Sequence, residues 1–297
     1  MTRAQVQPER CSVCRGKHFL LSNRNGLVHA RFCDCFHCET CGGSGRVFLE
    51  NEKGAAFLAD CVSCTALRKR FRILDEAGIP GKFAHAEFET FMKHHNSQGI
   101  AKRVAMDFVA DVLKSQKDFN RGLIFMGNPG LGKTHLAVSI MKALILEQGV
   151  DCKFVDFFQL LSDIRHGYSE DMSDKAFMTP YLKARVLVID ELAKGRNTEW
   201  ELTVLDQLIS SRYNAANKVT VFTTNYPSEK RIGTQESYKD ASEKNYADTY
   251  TRESLQEKIG ARIYSRLAEM CKFVMIEGQD HRQKTLSASQ RYPQSKR

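Results

Sequence analysis

The chain has 297 residues, 42% of them hydrophobic, and its 44 Lys and Arg against 35 Asp and Glu leave a formal net charge of +9. That length allows one large α/β domain beside a small second one, and the basic balance suits nucleic-acid contact without establishing it. No apolar run is long enough to span a bilayer and the start, Met1-Thr2-Arg3-Ala4-Gln5, has no apolar signal core, so no membrane partner and a cytoplasmic location are expected.

The first element is a cysteine cluster. Eight of the ten cysteines precede residue 65: Cys11, Cys14, Cys33, Cys35, Cys38, Cys41, Cys61 and Cys64. In a reducing compartment such clustering favours metal over disulfides. Two blocks emerge. Cys11-x2-Cys14 is followed after 18 residues by Cys33-x-Cys35, and Cys38-x2-Cys41 after 19 residues by Cys61-x2-Cys64. Each C-x2-C lets two soft sulfurs chelate one tetrahedral ion, and the second block has four-thiolate zinc spacing. The Cys33-x-Cys35 bite is tighter, so His29 and His37 are alternative ligands there. Two Zn2+ are expected, with an iron–sulfur cluster as the competing metal. The stretch Cys38-Glu-Thr-Cys41-Gly-Gly-Ser-Gly45 resembles the knuckle of J-type co-chaperones, in which glycines turn backbone N–H groups toward sulfur. The resemblance covers one repeat and carries no chaperone activity with it. Residues 1–72 are expected to form this zinc-binding module, too small to fold without metal. Cys152 and Cys271, in apolar strand-like contexts, are read as core.

Residues 73–120 are expected to link this module to the next. The run Arg68-Lys69-Arg70-Phe71-Arg72 is either a contact for nucleic acid or a partner, or a solvated helix face. Ile100, Val104, Phe108, Val109 and Val112 predict a helical core stripe.

The second domain, 121–278, carries the strongest signal. The apolar run Leu123–Met126 leads into Gly127-Asn128-Pro129-Gly130-Leu131-Gly132-Lys133-Thr134, the full G-x-x-x-x-G-K-[ST] loop in strand-to-helix context. Its glycines let backbone N–H groups face phosphate oxygens, and the helix that follows adds its positive end. Lys133 is expected on the β- and γ-phosphates of a nucleoside triphosphate, and the Thr134 hydroxyl on Mg2+. The run Arg185–Ile189 reads as a buried parallel strand that ends in Asp190-Glu191, at the end where open α/β sheets bind ligands. Asp190 is expected to hold magnesium and Glu191 to polarise the attacking water, from the strand adjacent to the phosphate loop. A third strand, Val219–Thr224, ends at Asn225, placed to contact that water or the γ-phosphate. The fold class is therefore α/β, a P-loop NTPase parallel sheet flanked by helices.

With the Thr134-His135-Leu136-Ala137 and Ile189-Asp190-Glu191-Leu192 segments, Leu208-Ile209 through Arg212-Tyr213-Asn214, Thr224-Asn225, and Ile259-Gly-Ala-Arg262-Ile-Tyr-Ser-Arg266-Leu, residues from about Ile79 to Glu277 resemble the AAA+ ATPases of the DnaC-type helicase-loader group, which includes the IstB-type transposition helpers. The resemblance implies self-association with the ATP site at a protomer interface, an arginine finger (Arg266 by position, Arg262 as runner-up), and a replicative helicase and single-stranded or duplex DNA as partners. An intrahelical ion pair with Glu269 is the bland alternative for these arginines. The chain departs from many relatives in having Asp190-Glu191-Leu192-Ala193 where they have Asp-Asp-Leu-Gly. Three functions follow as expectations: an ATPase that loads or remodels a helicase, a transposition helper that polymerises on duplex DNA, or a zinc-dependent adaptor with a switch ATPase. The polar stretch Ser228–Gln256 is expected as an insertion or mobile loop, and 279–297 as a basic disordered tail.

Overall fold

The structure, a computed structural model, describes residues 11–115, 119, 121–167, 174–228 and 253–280. Most of the polar stretch and of the tail, residues 229–252 and 281–297, lies outside the described residues. The chain divides into two compact units, residues 1–85 with 142–152 and residues 86–141 with 153–297. Among the described residues no helix is long and apolar enough to cross a membrane.

In the first unit, strands β1 (Phe19–Arg24) and β2 (Leu27–Phe32) form one antiparallel hairpin, and β3 (Arg46–Glu50) and β4 (Ala56–Asp60) another. The first closes on Asn25-Gly26, both at positive φ, which is the chemistry a two-residue hairpin turn demands. The second turns through Asn51, whose Oδ1 accepts from the Lys53 and Ala55 N–H groups. Helix α1 (Val62–Asp75) follows, with Phe71 and Leu74 buried. The chain beyond it packs back on β2. Val28 N–H donates to Ile79, Gly81 N–H to Gly26, and Ala30 N–H to the Asp75 carboxylate.

The second unit is built on a five-stranded sheet. Its strands are β5 (Gly122–Met126), β6 (Cys152–Asp156), β7 (Val186–Asp190), β8 (Val219–Thr224) and β9 (Cys271–Met275), in spatial order β6-β7-β8-β5-β9. β5 pairs in parallel with β8 and β9, and β7 with β8. The order corrects one expectation: β8 lies between the phosphate-loop strand and the acidic strand, so these two are not adjacent. β5, β7 and β8 are buried throughout, as the continuous apolar runs of β5 and β7 require of a sheet covered on both faces. Ile124, Met126, Leu187, Ile189 and Phe222 on one face join a core with α4 (Phe157–Gly167), α5 (Asp174–Lys183), α6 (Glu199–Tyr213), α7 (Leu255–Ile259) and α8 (Ala261–Met270). Cys152 and Cys271 are buried.

Helix α2 (Asn96–Ser115) buries Ala101, Ala105, Phe108, Val109 and Val112, whereas Ile100 is exposed. The stripe is thus rotated from the expected one, because the two alanines pack inward and displace Ile100 to the outside. Helix α3 (Lys133–Gln148) is apolar nearly all round, with Leu136, Ala137, Ile140, Met141, Leu144 and Ile145 fully buried.

Candidate functional site

The phosphate loop links β5 to the first turn of α3. Gly130 and Gly132 both hold positive φ. At Gly132 a Cβ would run into the ring of Phe91, so only glycine fits. Phe91 in turn meets His135 edge-on, with ring centroids 5.4 Å apart, and a His135 ring nitrogen lies 2.8 Å from the Glu87 carbonyl. The segment around residues 87–91 therefore braces the start of α3 from outside the loop. Lys133 is buried, and its ammonium donates to the Gly127 and Asn128 carbonyls at 2.7 and 2.8 Å. It lies folded along the loop rather than extended across it.

Asp190, at the C-terminal end of β7, is 7% exposed. Its Oδ1 accepts from the Thr134 hydroxyl at 2.8 Å and from the Thr223 hydroxyl of β8 at 2.5 Å. The intervening strand thus supplies the bridge between loop and acid. Burial pushes the Asp190 carboxyl above the usual range, the two hydroxyls oppose that, and Glu191 and Asp156 add to it. Among the described residues no basic side chain forms an ion pair with Asp190. A buried carboxylate beside a threonine hydroxyl, with no cationic partner, is a donor set that fits a hard divalent cation.

Glu191 holds φ at 57°, as the turn after β7 folds back. Its N–H donates to the Thr223 hydroxyl, and the Leu192 N–H to the Thr223 carbonyl. Its carboxylate pairs with the Lys194 ammonium one turn on. Asn225 follows the last residue of β8 and is half-buried, level with Gly127 in the register of β5 and β8. The expected residues Gly127 through Thr134, Asp190, Glu191 and Asn225 thus converge on one end of the sheet.

Arg262 and Arg266 are elsewhere. Both engage Asp206 of α6: Arg266 Nη1 donates to Oδ1 at 2.6 Å, and Arg262 Nη2 lies 3.2 Å from Oδ2. The partner is Asp206 rather than Glu269 on their own helix. Glu269 instead acts on Tyr213, whose phenol pKa it raises. Among the described residues neither arginine bonds to the phosphate loop, Asp190, Glu191 or Asn225.

A second chemical centre lies in the first unit. The sulfurs of Cys11, Cys14, Cys33 and Cys35 lie within 4.8 Å of one another, as do those of Cys38, Cys41, Cys61 and Cys64. Individual pairs stand at 3.8, 3.4, 3.6 and 3.7 Å. A tetrahedron with metal–sulfur bonds of about 2.3 Å has sulfur–sulfur edges of about 3.8 Å, so both clusters can each hold a metal ion. Cys35 completes the first set. His29 faces Asp75 instead, at 3.4 Å, and sequence alone left that choice open. Each site repeats one plan, in which a β-hairpin carries a cysteine pair at either end; that plan accounts for the similar spacers. Cys61 stands at the N-cap position of α1 and Cys64 lies in its first turn, where burial pushes the Cys64 thiol up to about 11. Burial opposes the Cys41 thiolate, but hydrogen bonding, led by the Gly45 N–H, outweighs it and brings its pKa to about 6.

Arg68 of α1 braces the second cluster. Its guanidinium donates to the Gly43 carbonyl at 2.7 Å, opposes the rise in the Cys64 thiol pKa, and lies 4.9 Å over the Phe32 ring. It also fills the space that a side chain at Gly45 would need. Arg70 donates to the Leu146 carbonyl. The basic run is therefore spent at these two positions on internal contacts.

Sequence reasoning missed Thr223, Lys194, Asp206 and Arg68. Two hydroxyls inside the buried Thr223-Thr224 pair were a usable signal, since such groups must bond something. Nothing local marks the other three.

The family model described as IstB-like ATP binding protein matches residues 58–242. The phage-like element PBSX protein XkdC of Bacillus subtilis is 26% identical over 220 residues, covering 72% of this chain and 80% of that protein. The replicative helicase loader DnaC of Escherichia coli is 24% identical over 175 residues, covering 59% and 69%. Of YqaM of Bacillus subtilis, 26% identical over 157 residues, the chain spans 49%. Among solved structures, a crystal structure of the DnaC helicase loader superposes with a TM-score of 0.52 at 30% identity, over 66% of this chain and 99% of that one.

Proposed function

The chain belongs to the family of IstB-like ATP binding proteins, and on that premise we propose that it is a magnesium-dependent ATPase that loads or remodels a replicative helicase. The observation that carries the chemistry is the 2.8 Å bond from Thr134 to Asp190. It joins the phosphate loop to a buried, cation-free carboxylate across an intervening strand. The helicase assignment is supported by the likeness to DnaC loaders, the solved chain of one of which is matched over 99% of its residues, at 30% identity, by 66% of this chain.

The roles follow from position. The loop N–H groups of Gly127–Gly132, Pro129 excepted, and the start of α3 bind the triphosphate. Lys133 exchanges its two carbonyl acceptors for phosphate oxygens. Thr134 and Asp190 hold Mg2+, which when bound neutralises phosphate charge. Glu191 leaves Lys194 and draws a proton from the attacking water, which Asn225 orients. Arg266, with Arg262 beside it, reaches the γ-phosphate of a neighbouring protomer, because its own site lies out of bonding contact.

The two cysteine clusters hold zinc, the ion that four clustered thiolates favour. They fold the first unit into a contact module for the partner or for single-stranded DNA. The second hairpin supports this, since Phe48, Leu49, Phe57, Leu58 and nearby Val62 are exposed.

The family model itself keeps the transposition-helper reading as the second. A pull-down with Glu191→Gln protein in ATP and magnesium separates the two. Retention of a hexameric helicase supports loading, and ATP-dependent filaments on duplex DNA with no helicase bound support the other.

A further inference from the structure

We propose that Asp206 is the positioning residue for the trans-acting arginines, holding Arg266 and Arg262 in the geometry in which a neighbouring protomer's nucleotide receives them. The inference rests on the reading that Arg266 acts across a protomer interface.

The geometry is one carboxylate shared between two cations. Oδ1 takes Arg266 at 2.6 Å and Oδ2 takes Arg262 at 3.2 Å. The arginines stand four residues apart on α8, on one face, where like charges repel. Asp206 comes from a different helix, α6, and offsets one of the two charges. The Arg266 side chain is 25% exposed and that of Arg262 74%, so Asp206 holds Arg266 close and leaves Arg262 outermost. Ser210 supports the carboxylate, its hydroxyl lying 3.4 Å from Oδ1.

Arg266 makes a single hydrogen bond among the described residues, through Nη1. Its remaining N–H groups are left for an incoming anion, and the Asp206 bond fixes the plane in which they point. A free arginine has a long flexible stem and must lose that freedom when it meets phosphate. A tethered one has lost it already, and small misplacement at a reacting centre is costly. The tether does not cancel the charge delivered, since two guanidiniums and one carboxylate leave a net +1 at the face.

The test uses mixed oligomers, because the proposal assigns Asp206 to the donor of the finger and not to the recipient. The donor carries Glu191→Gln and cannot turn over its own ATP. The recipient carries Arg266→Ala and has an intact site but no finger. Turnover in the mixture reports a finger acting in trans. With Asp206→Asn placed in the donor, turnover should fall by about tenfold or more, with the apparent KM for ATP unchanged. With Asp206→Asn placed in the recipient, turnover should stay within about twofold. Asp206→Glu in the donor keeps the carboxylate and should restore most of the loss, which separates positioning from a folding defect. Equal losses in both arms, or an unaffected donor arm, overturn the proposal while leaving the shared site standing. No turnover in the parental mixture, with Asp206 intact throughout, overturns the shared-site reading and the proposal with it.

Discussion

The Glu191 carboxylate is paired with the Lys194 ammonium, three residues along the turn that leaves β7. Hydrogen bonding to Glu191 lifts Lys194 above its ordinary pKa, with burial opposing. The assigned base is thus paired with a cation in this structure. Lys194 is 58% exposed, and exposed pairs contribute at most about 1 kcal/mol. Lys194→Ala should therefore raise basal ATP turnover, by no more than about fivefold. A steady-state assay checks this, and a fall in turnover would mean that Lys194 itself contacts the substrate.

Asp190 yields a pH prediction. Its carboxyl is raised in the folded chain, first by burial. The ligand-free fold therefore binds that proton more tightly than the unfolded chain does, and the charged form costs stability as pH rises through the folded value. Ligand-free Asp190→Asn should melt higher than the unsubstituted protein at pH 7, and the gap should close as pH falls toward the ordinary carboxylate range. With ATP and magnesium the order should reverse, since only the carboxylate holds the ion. Thermal melts across pH, with and without ligand, read both effects.

Arg212 is 2% exposed, and burial lowers its pKa to about 10, so it stays charged at neutral pH. It donates to the Thr220 hydroxyl and to the carbonyls of Tyr181, Ala184, Arg185 and Val219. These acceptors tie the end of α5 to the starts of β7 and β8. Arg212→Met keeps much of the volume but strands the carbonyls. The expected loss is about 3–5 kcal/mol, read by denaturant titration of the intact chain, with Arg212→Lys intermediate.

For the cysteine clusters, metal analysis should find two zinc ions per chain and no iron absorption band. Arg68 reaches the second site's loop through the Gly43 carbonyl and bears on the Cys64 thiol. Arg68→Met should weaken zinc there by about 10–100-fold, the usual cost of an outer-shell change. Chelator-driven release should then resolve two phases, one accelerated. Uniform acceleration would place Arg68 in general folding.

The phosphate loop, the acidic strand and the eight thiols were legible because their chemistry is local, with ligand spacing and strand-to-helix context written within a few residues. β6 and β9 showed only as apolar contexts around Cys152 and Cys271. The Asn25-Gly26 turn was a hairpin signal that went unread. What stayed hidden depends on the order of strands and on partners far apart in sequence. The insertion of β8 made Thr223 the bridge to Asp190, and the packing of α6 on α8 chose Asp206 over Glu269 for the arginines. Ile100 fell off its expected face because Ala101 and Ala105 allow closer approach than a hydrophobicity pattern conveys.

The central claim is that the loop at Gly127–Thr134, with Asp190 and Glu191, binds ATP and cleaves it. Titration of labelled ATP with magnesium into the unsubstituted protein, Glu191→Gln and Lys133→Ala, with turnover measured in parallel, tests it most directly. The first two should bind with similar affinity, Glu191→Gln should turn over about a hundredfold more slowly or less, and Lys133→Ala should not bind. Undiminished ATP affinity in Lys133→Ala, or full turnover in Glu191→Gln, would contradict it.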